Sequence, residues 1–208
     1  FTYANYWSAD TTWGGEFAPM DDESIYIPKG LNLLVDIDHS PLLKAVIVEG
    51  AIIFAPHSDP KHERFFDAKY IFVHGGRMEV GTEEFPYTSQ LTITMHGTVA
   101  DPYLPIYGNK VIGVRNGKLD MHGVKRTPTW TVLESTSLAG SSTITLREQV
   151  DWVAGERISI APTDFEVDHA EERLIKSIDK TNPSNPIITL DKPLDYKHYA
   201  ATQTYGSD

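Results

Sequence analysis

Four stretches of this chain repeat one another: Val46–Phe54, Tyr70–Gly81, Leu91–Gly97 and Val111–Gly123. Each is a strand-length β-branched run that ends in Gly or His-Gly, often followed by a second short run. The glycines Gly50, Gly76, Gly97 and Gly123 stand 26, 21 and 26 positions apart, the spacing of a coil that returns to one place at every turn. A coil of this length cannot bury its own apolar face, so successive coils must stack to form a core. The repeat therefore predicts an all-β solenoid with long flat sides.

The rest of the chain is legible around that frame. Trp7 to Gly15 carries two Trp and a Gly-Gly turn ahead of an acidic patch at Asp21, Asp22 and Glu23, which suits a cap over the exposed end of the core. Ser24–Ile27 and Leu31–Asp36, split by Pro28-Lys-Gly30, read as the opening strands. The polar run His57–Asp67, broken by Pro60, and the Pro-rich run Asp101–Gly108 read as loops thrown out between coils. After Gly123 the rhythm changes. Trp130–Leu133, Ser142–Leu146, Arg157–Ala161, Arg173–Asp179 and Ile187–Leu190 predict an antiparallel β annex, with strand favoured over helix from Arg173 onward. The division expected is 1–123 for capped coils and 124–208 for the annex.

Composition narrows the partners. Eighteen Lys and Arg against 29 Asp and Glu give a net charge of -11, a field that repels nucleic acid and anionic membrane. No stretch approaches the roughly 18 apolar residues of a membrane span. With no Cys there is no disulfide, thiolate metal site or Cys nucleophile, yet a fold with a sufficient core needs no bridges in any compartment. The one Asn-x-Ser tripeptide, at Asn182, is blocked by Pro183, and the start at Phe1 without a leader reads as a segment of a longer or processed protein.

Taken together, Thr12-Trp-Gly-Gly15, Ile25-Tyr-Ile-Pro28, Gly75-Gly-Arg-Met-Glu-Val-Gly81, Tyr107-Gly-Asn-Lys110, Gly117-Lys-Leu-Asp-Met-His-Gly123, Val150-Asp-Trp-Val-Ala-Gly155 and Ile160-Ala-Pro-Thr-Asp164 resemble the eight-glycine (G8) domain. That module occurs in fibrocystin, fibrocystin-L and the cell-migration-inducing and transmembrane hyaluronidases. The resemblance implies a right-handed parallel β-helix, placement outside the cell or at its surface within a much larger protein, and a surface-coat role. It also implies that the partners are other domains of the same protein, with glycans or further copies of the chain as alternatives. The hyaluronidases carry a long insertion after the Trp130 strand, whereas here Leu133 is followed closely by Val150-Asp-Trp152.

Four groups of residues invite a chemical reading. His74, His96 and His122 each precede a coil-ending glycine; stacked in register, about 4.8 Å apart, they form either a metal-binding row or, as the favoured reading, a polar ladder satisfied by turn backbone. Asp164, Asp168, Glu171 and Arg173, with His169 among them, form the densest charge cluster. Two carboxylates roughly 5 to 9 Å apart serve as glycosidase acid and base, and the plainer reading is a solvated loop with Arg173 pairing an acid. Tyr103 and Tyr107 stand out as ligand-contact residues within the Pro-rich excursion, while the other large aromatics read mostly as core or cap. The Asp-x-Asp pair Asp36 and Asp38, beside His39, suggests calcium, but no EF-hand order follows and an Asx turn is favoured, so no cofactor is expected. Nucleophile elbows, phosphate loops and zincin helices are missing from the sequence. The expectation is a non-catalytic structural or adhesion module, with a polysaccharide-binding or polysaccharide-cleaving domain as the alternative.

Overall fold

The computed structural model describes residues 4–104, 106–203 and 206. Pro105, inside the expected excursion, lies outside them. The described chain is all-β apart from two 3-10 turns, Asp10–Trp13 and Val167–His169. It divides into two units, residues 1–124 and 125–208.

In the first unit the strands are β1 (Ala4–Tyr6), β2 (Ser24–Ile27), β3 (Asn32–Val35), β4 (His39–Val48), β5 (Ala51–Phe54), β6 (Glu63–His74), β7 (Arg77–Val80), β8 (Gln90–Met95), β9 (Val111–Arg115) and β10 (Lys118–Met121). Every strand pairing among them is parallel. One sheet has the order β1-β3-β5-β7-β10 and the other β2-β4-β6-β8, with β9 also on β6. The long strands β4 and β6 each turn a bend. Their inward positions run Leu43 then Val46 and Val48, and Phe66 and Ala68 then Ile71 and Val73, so the period-two alternation changes phase at Lys44 and Lys69.

That bend lets two of the expected repeats pair with one strand. The first half of β6 pairs with β8, Ala68 opposite Met95, and its second half pairs with β9, Tyr70 opposite Val111. Thus β8 and β9 are one rung, interrupted at the bend by residues 96–110. The glycine corners are correspondingly Gly50, Gly76 and Gly117, not Gly97 and Gly123. The interval from Gly76 to Gly117 is 41 positions against 26 from Gly50 to Gly76, and residues 96–110 account for nearly all of the difference. At these corners the backbones touch: Arg77 N–H donates to the Gly50 carbonyl and Lys118 N–H to that of Gly76, each at 2.9 Å. A Cβ on Gly76 would lie 2.3 Å from the Gly50 oxygen, so the approach requires glycine.

Rows of like residues fill the interior, including Ile25–Val46–Ile71, Ile27–Val48–Val73 and Leu33–Ile52–Met78. Full burial of each such side chain contributes about 1.5–3 kcal/mol. Trp7, 2% exposed, meets Trp13 and Phe66 edge-on at 5.1 and 6.2 Å, which makes the expected aromatic cap. The loop expected over His57–Asp67 ends early: β6 begins at Glu63, because Arg64, Phe66 and Ala68 face inward while Phe65 and Asp67 between them are less buried.

The second unit is an antiparallel sheet of β11 (Thr143–Thr145), β12 (Arg157–Ile160), β13 (Glu171–Asp179) and β14 (Ile187–Leu190), in the order β11-β14-β13-β12. Ile144, Leu146, Ile175, Ile188, Leu190 and Leu194 lie at its centre. The strand expected at Trp130–Leu133 reduces to one bridge between Leu133 and Leu146, and Trp130 is 74% exposed.

Candidate functional site

Glu171 and Arg173 both face inward from β13, two residues apart on one side of the strand. Strand geometry forces the pair together, and their burial demands partners. Glu171 Oε2 accepts from the Arg173 guanidinium and from the Asp195 amide at 2.8 Å. Its Oε1 accepts from the Tyr196 amide and lies 2.9 Å from His198 Nε2. Arg173 also reaches Asp195 Oδ2 at 2.8 Å and the carbonyls of Pro193 and Glu172. The His198 ring is 1% exposed, with Nδ1 2.8 Å from the Ala161 carbonyl oxygen. Burial opposes the charge on Glu171, but the amides of Asp195 and Tyr196, the His198 ring and the Arg173 cation outweigh it and hold the carboxyl below its usual range.

The other two members of the expected charge cluster lie elsewhere. Asp164 sits in an exposed turn, where His169 Nδ1 at 2.8 Å and the Glu166 amide lower its pKa. The His169 ring stacks on Tyr196 at 3.8 Å. Asp168 is exposed in the Val167–His169 turn. A glycosidase acid needs a carboxyl kept protonated by a poor environment for charge. Glu171 and Asp164 are shifted the opposite way. Glu171 and Arg173 belong to a buried salt-bridge network, and Asp164 and Asp168 to a surface turn that meets it at the His169–Tyr196 stack. Asp195 and His198 were missed by sequence reasoning, although two charged residues alternating with Ile175 on an inward strand face signal that further polar partners must exist.

The three histidines do not form a row. His74 ends β6 opposite Arg115, His96 follows β8 and donates its amide to Ala68, and His122 follows β10 in the other sheet, its amide on Val80. Two of them have acidic partners: His96 Nε2 lies 2.6 Å from Asp67 and His122 Nε2 2.9 Å from Asp120. Asp36 accepts from the Ser8 hydroxyl and amide, and Asp38 is held by His62 and Arg64 below the usual carboxylate range. Among the described residues no group of three His, Asp or Glu is arranged to hold a metal ion. Tyr103 is 66% exposed, whereas Tyr107 is packed against Phe72 at 5.0 Å.

The second unit also holds a groove of about 550 Å³. It is lined by Trp130–Leu133, Ile158–Ala161 and His198–Ala201, with Trp152 anchored by an indole N–H bond of 2.7 Å to the Pro128 carbonyl.

The family model of the G8 domain matches residues 12–134. Mouse fibrocystin-L is 36% identical over 204 residues, covering 98% of this chain and 5% of the relative. Mouse fibrocystin is 30% identical over 199 residues, 95% of this chain and 5% of the relative. Protein rliB of Dictyostelium discoideum is 28% identical over 209 residues, 95% of this chain and 18% of the relative. The chain thus spans about one-twentieth of the length of the fibrocystin relatives. It belongs to the G8 domain family and is homologous to fibrocystin-L and fibrocystin.

Proposed function

We propose that this chain is a non-catalytic extracellular module of a fibrocystin-like surface protein, and that its first unit is a stretch of right-handed parallel β-helix offering flat sides and one protruding excursion for assembly. The observation that carries the reading is the parallel pairing of three successive rungs, cornered at Gly50, Gly76 and Gly117. Rigid stacked coils make a spacer and a platform; they supply no paired acid and base. Glu171, saturated with donors, is an ion-pair residue, and Tyr103 is the exposed ring on the excursion. Incubation of the chain with hyaluronan and chondroitin from pH 4 to 8, with and without divalent cations, is expected to leave polymer length unchanged. Shortening in any condition overturns the non-catalytic reading.

A second reading, polysaccharide binding without cleavage, is favoured by the groove walled by Trp130 and Tyr199, which are 74% and 46% exposed. Ring faces of this kind stack on sugar C–H groups. On this reading Trp130→Ala weakens affinity for hyaluronan oligosaccharides about tenfold in a fluorescence titration. Equal affinity, or no binding by either protein, removes it.

A further inference from the structure

The buried ring of His198 faces an acceptor on both sides. An ionised carboxylate has about four lone-pair sites, and on Glu171 three are taken by groups that can only donate: the Arg173 guanidinium and the amides of Asp195 and Tyr196. The fourth faces His198 Nε2 at 2.9 Å, and the opposite ring nitrogen faces the Ala161 carbonyl, which can only accept, at 2.8 Å. Two good hydrogen bonds therefore require a proton on each ring nitrogen. A neutral ring would leave one contact as two facing lone pairs, and a buried unmade bond is costly.

The residues around His198 have further ties: the amides of Asp195 and Tyr196 bond Glu171, and the Lys197 carbonyl accepts from Thr163 Oγ1. His198 exchanges backbone bonds with Ser137 at 2.9 Å, the Tyr199 amide donates to Thr163 Oγ1, and Ala200 bonds Thr136 Oγ1. His198, Tyr199 and Ala200 also line the groove. We infer that His198 is a proton-operated latch: as the imidazolium it fastens the segment Asp195–Ala200 to Glu171 and Ala161, and loss of one ring proton releases that hold and loosens the groove wall. The groups bonded to the ring are Glu171 on β13 and the Ala161 carbonyl just beyond β12; Arg173 and Asp195 stand behind Glu171, and Ser137 bonds the His198 backbone. Tyr196, on which His169 stacks with Asp164 behind it, and Tyr199 flank the ring in sequence. The sign follows from the charge. The ring that donates on both sides is the cation, so the latch is closed in acid and opens as pH rises.

The test uses the intact chain labelled with 15N, with the His198 signals assigned by difference from His198→Gln. At pH 6 the ring of His198 is expected to show two slowly exchanging N–H groups; one N–H in the folded protein overturns the proposal. As pH is raised and the second N–H disappears, the amide protection factors of Tyr196 and His198 are expected to fall about tenfold or more while those of β14 hold. In His198→Gln, which has no proton to lose, the protection of Tyr196 is expected to be independent of pH. An undiminished pH response in that variant overturns the latch, and if the variant does not fold, the ring protonation and the protection of Tyr196 in the unmodified chain decide the question.

Discussion

Gly76 and Glu171 show how single residues carry this fold. A Cβ on Gly76 would enter the carbonyl of the coil below, whereas one on Gly123 meets nothing within 4 Å. Gly76→Ala is therefore expected to cost about 1–3 kcal/mol in urea unfolding and Gly123→Ala less than about 0.5 kcal/mol. Both glycines look alike in sequence, each closing an apolar run, and only the looped-out residues 96–110 put Gly117 rather than Gly123 in line with Gly76. Glu171→Gln leaves His198 without its anion and Arg173 with Asp195 alone, and is expected to cost about 3–5 kcal/mol at neutral pH. Because the folded carboxyl titrates below its unfolded value of about 4.3, its contribution is complete above that value and is lost as pH falls through the folded one. The variant's stability between pH 5 and 3 is thus expected to fall less steeply than that of the unmodified chain, and parallel curves would contradict this. Glu171 and Arg173 were visible as a charge cluster in sequence, but their burial was not, since β13 was expected to begin only at Arg173.

At the scale of elements, the strands with clean period-two patterns were legible: β2 and β14 fall where their apolar runs do. What was hidden was the bend within β4 and β6, because a phase change at Lys44 and Lys69 reads in sequence as broken alternation. The split rung follows from that bend and yields a demanding expectation. Met95 and Val111 stand opposite Ala68 and Tyr70, so only one position, beside Lys69, separates them in register. Replacing residues 96–110 by a single Lys should preserve cooperative unfolding and the β circular dichroism signal. The loss expected is less than about 3 kcal/mol, from the Tyr107 packing on Phe72 and the Asp67–His96 contact. An unfolded product would show that the excursion is part of the frame.

For the whole molecule, the sequence carried the all-β class because the repeat is a property of many residues at once, and the loss of Gly97 and Gly123 from the series did not erase it. It did not carry the site chemistry, because the Glu171, Arg173, Asp195 and His198 network joins positions up to 27 apart on β13 and on a segment without a periodic pattern. The central claim is that successive coils of the first unit lie over one another in parallel register. The chain has no Cys, so paired substitutions read out that register directly. Ile47 and Phe72 are Cα partners on outward positions of neighbouring rungs, about 4.8 Å apart and within disulfide reach. His74 lies two residues further along, roughly 7–8 Å from Ile47. The measurement is oxidation of Ile47→Cys/Phe72→Cys beside Ile47→Cys/His74→Cys: the first is predicted to form an intramolecular disulfide readily and the second to remain reduced, and equal or reversed cross-linking would contradict the stacked coil.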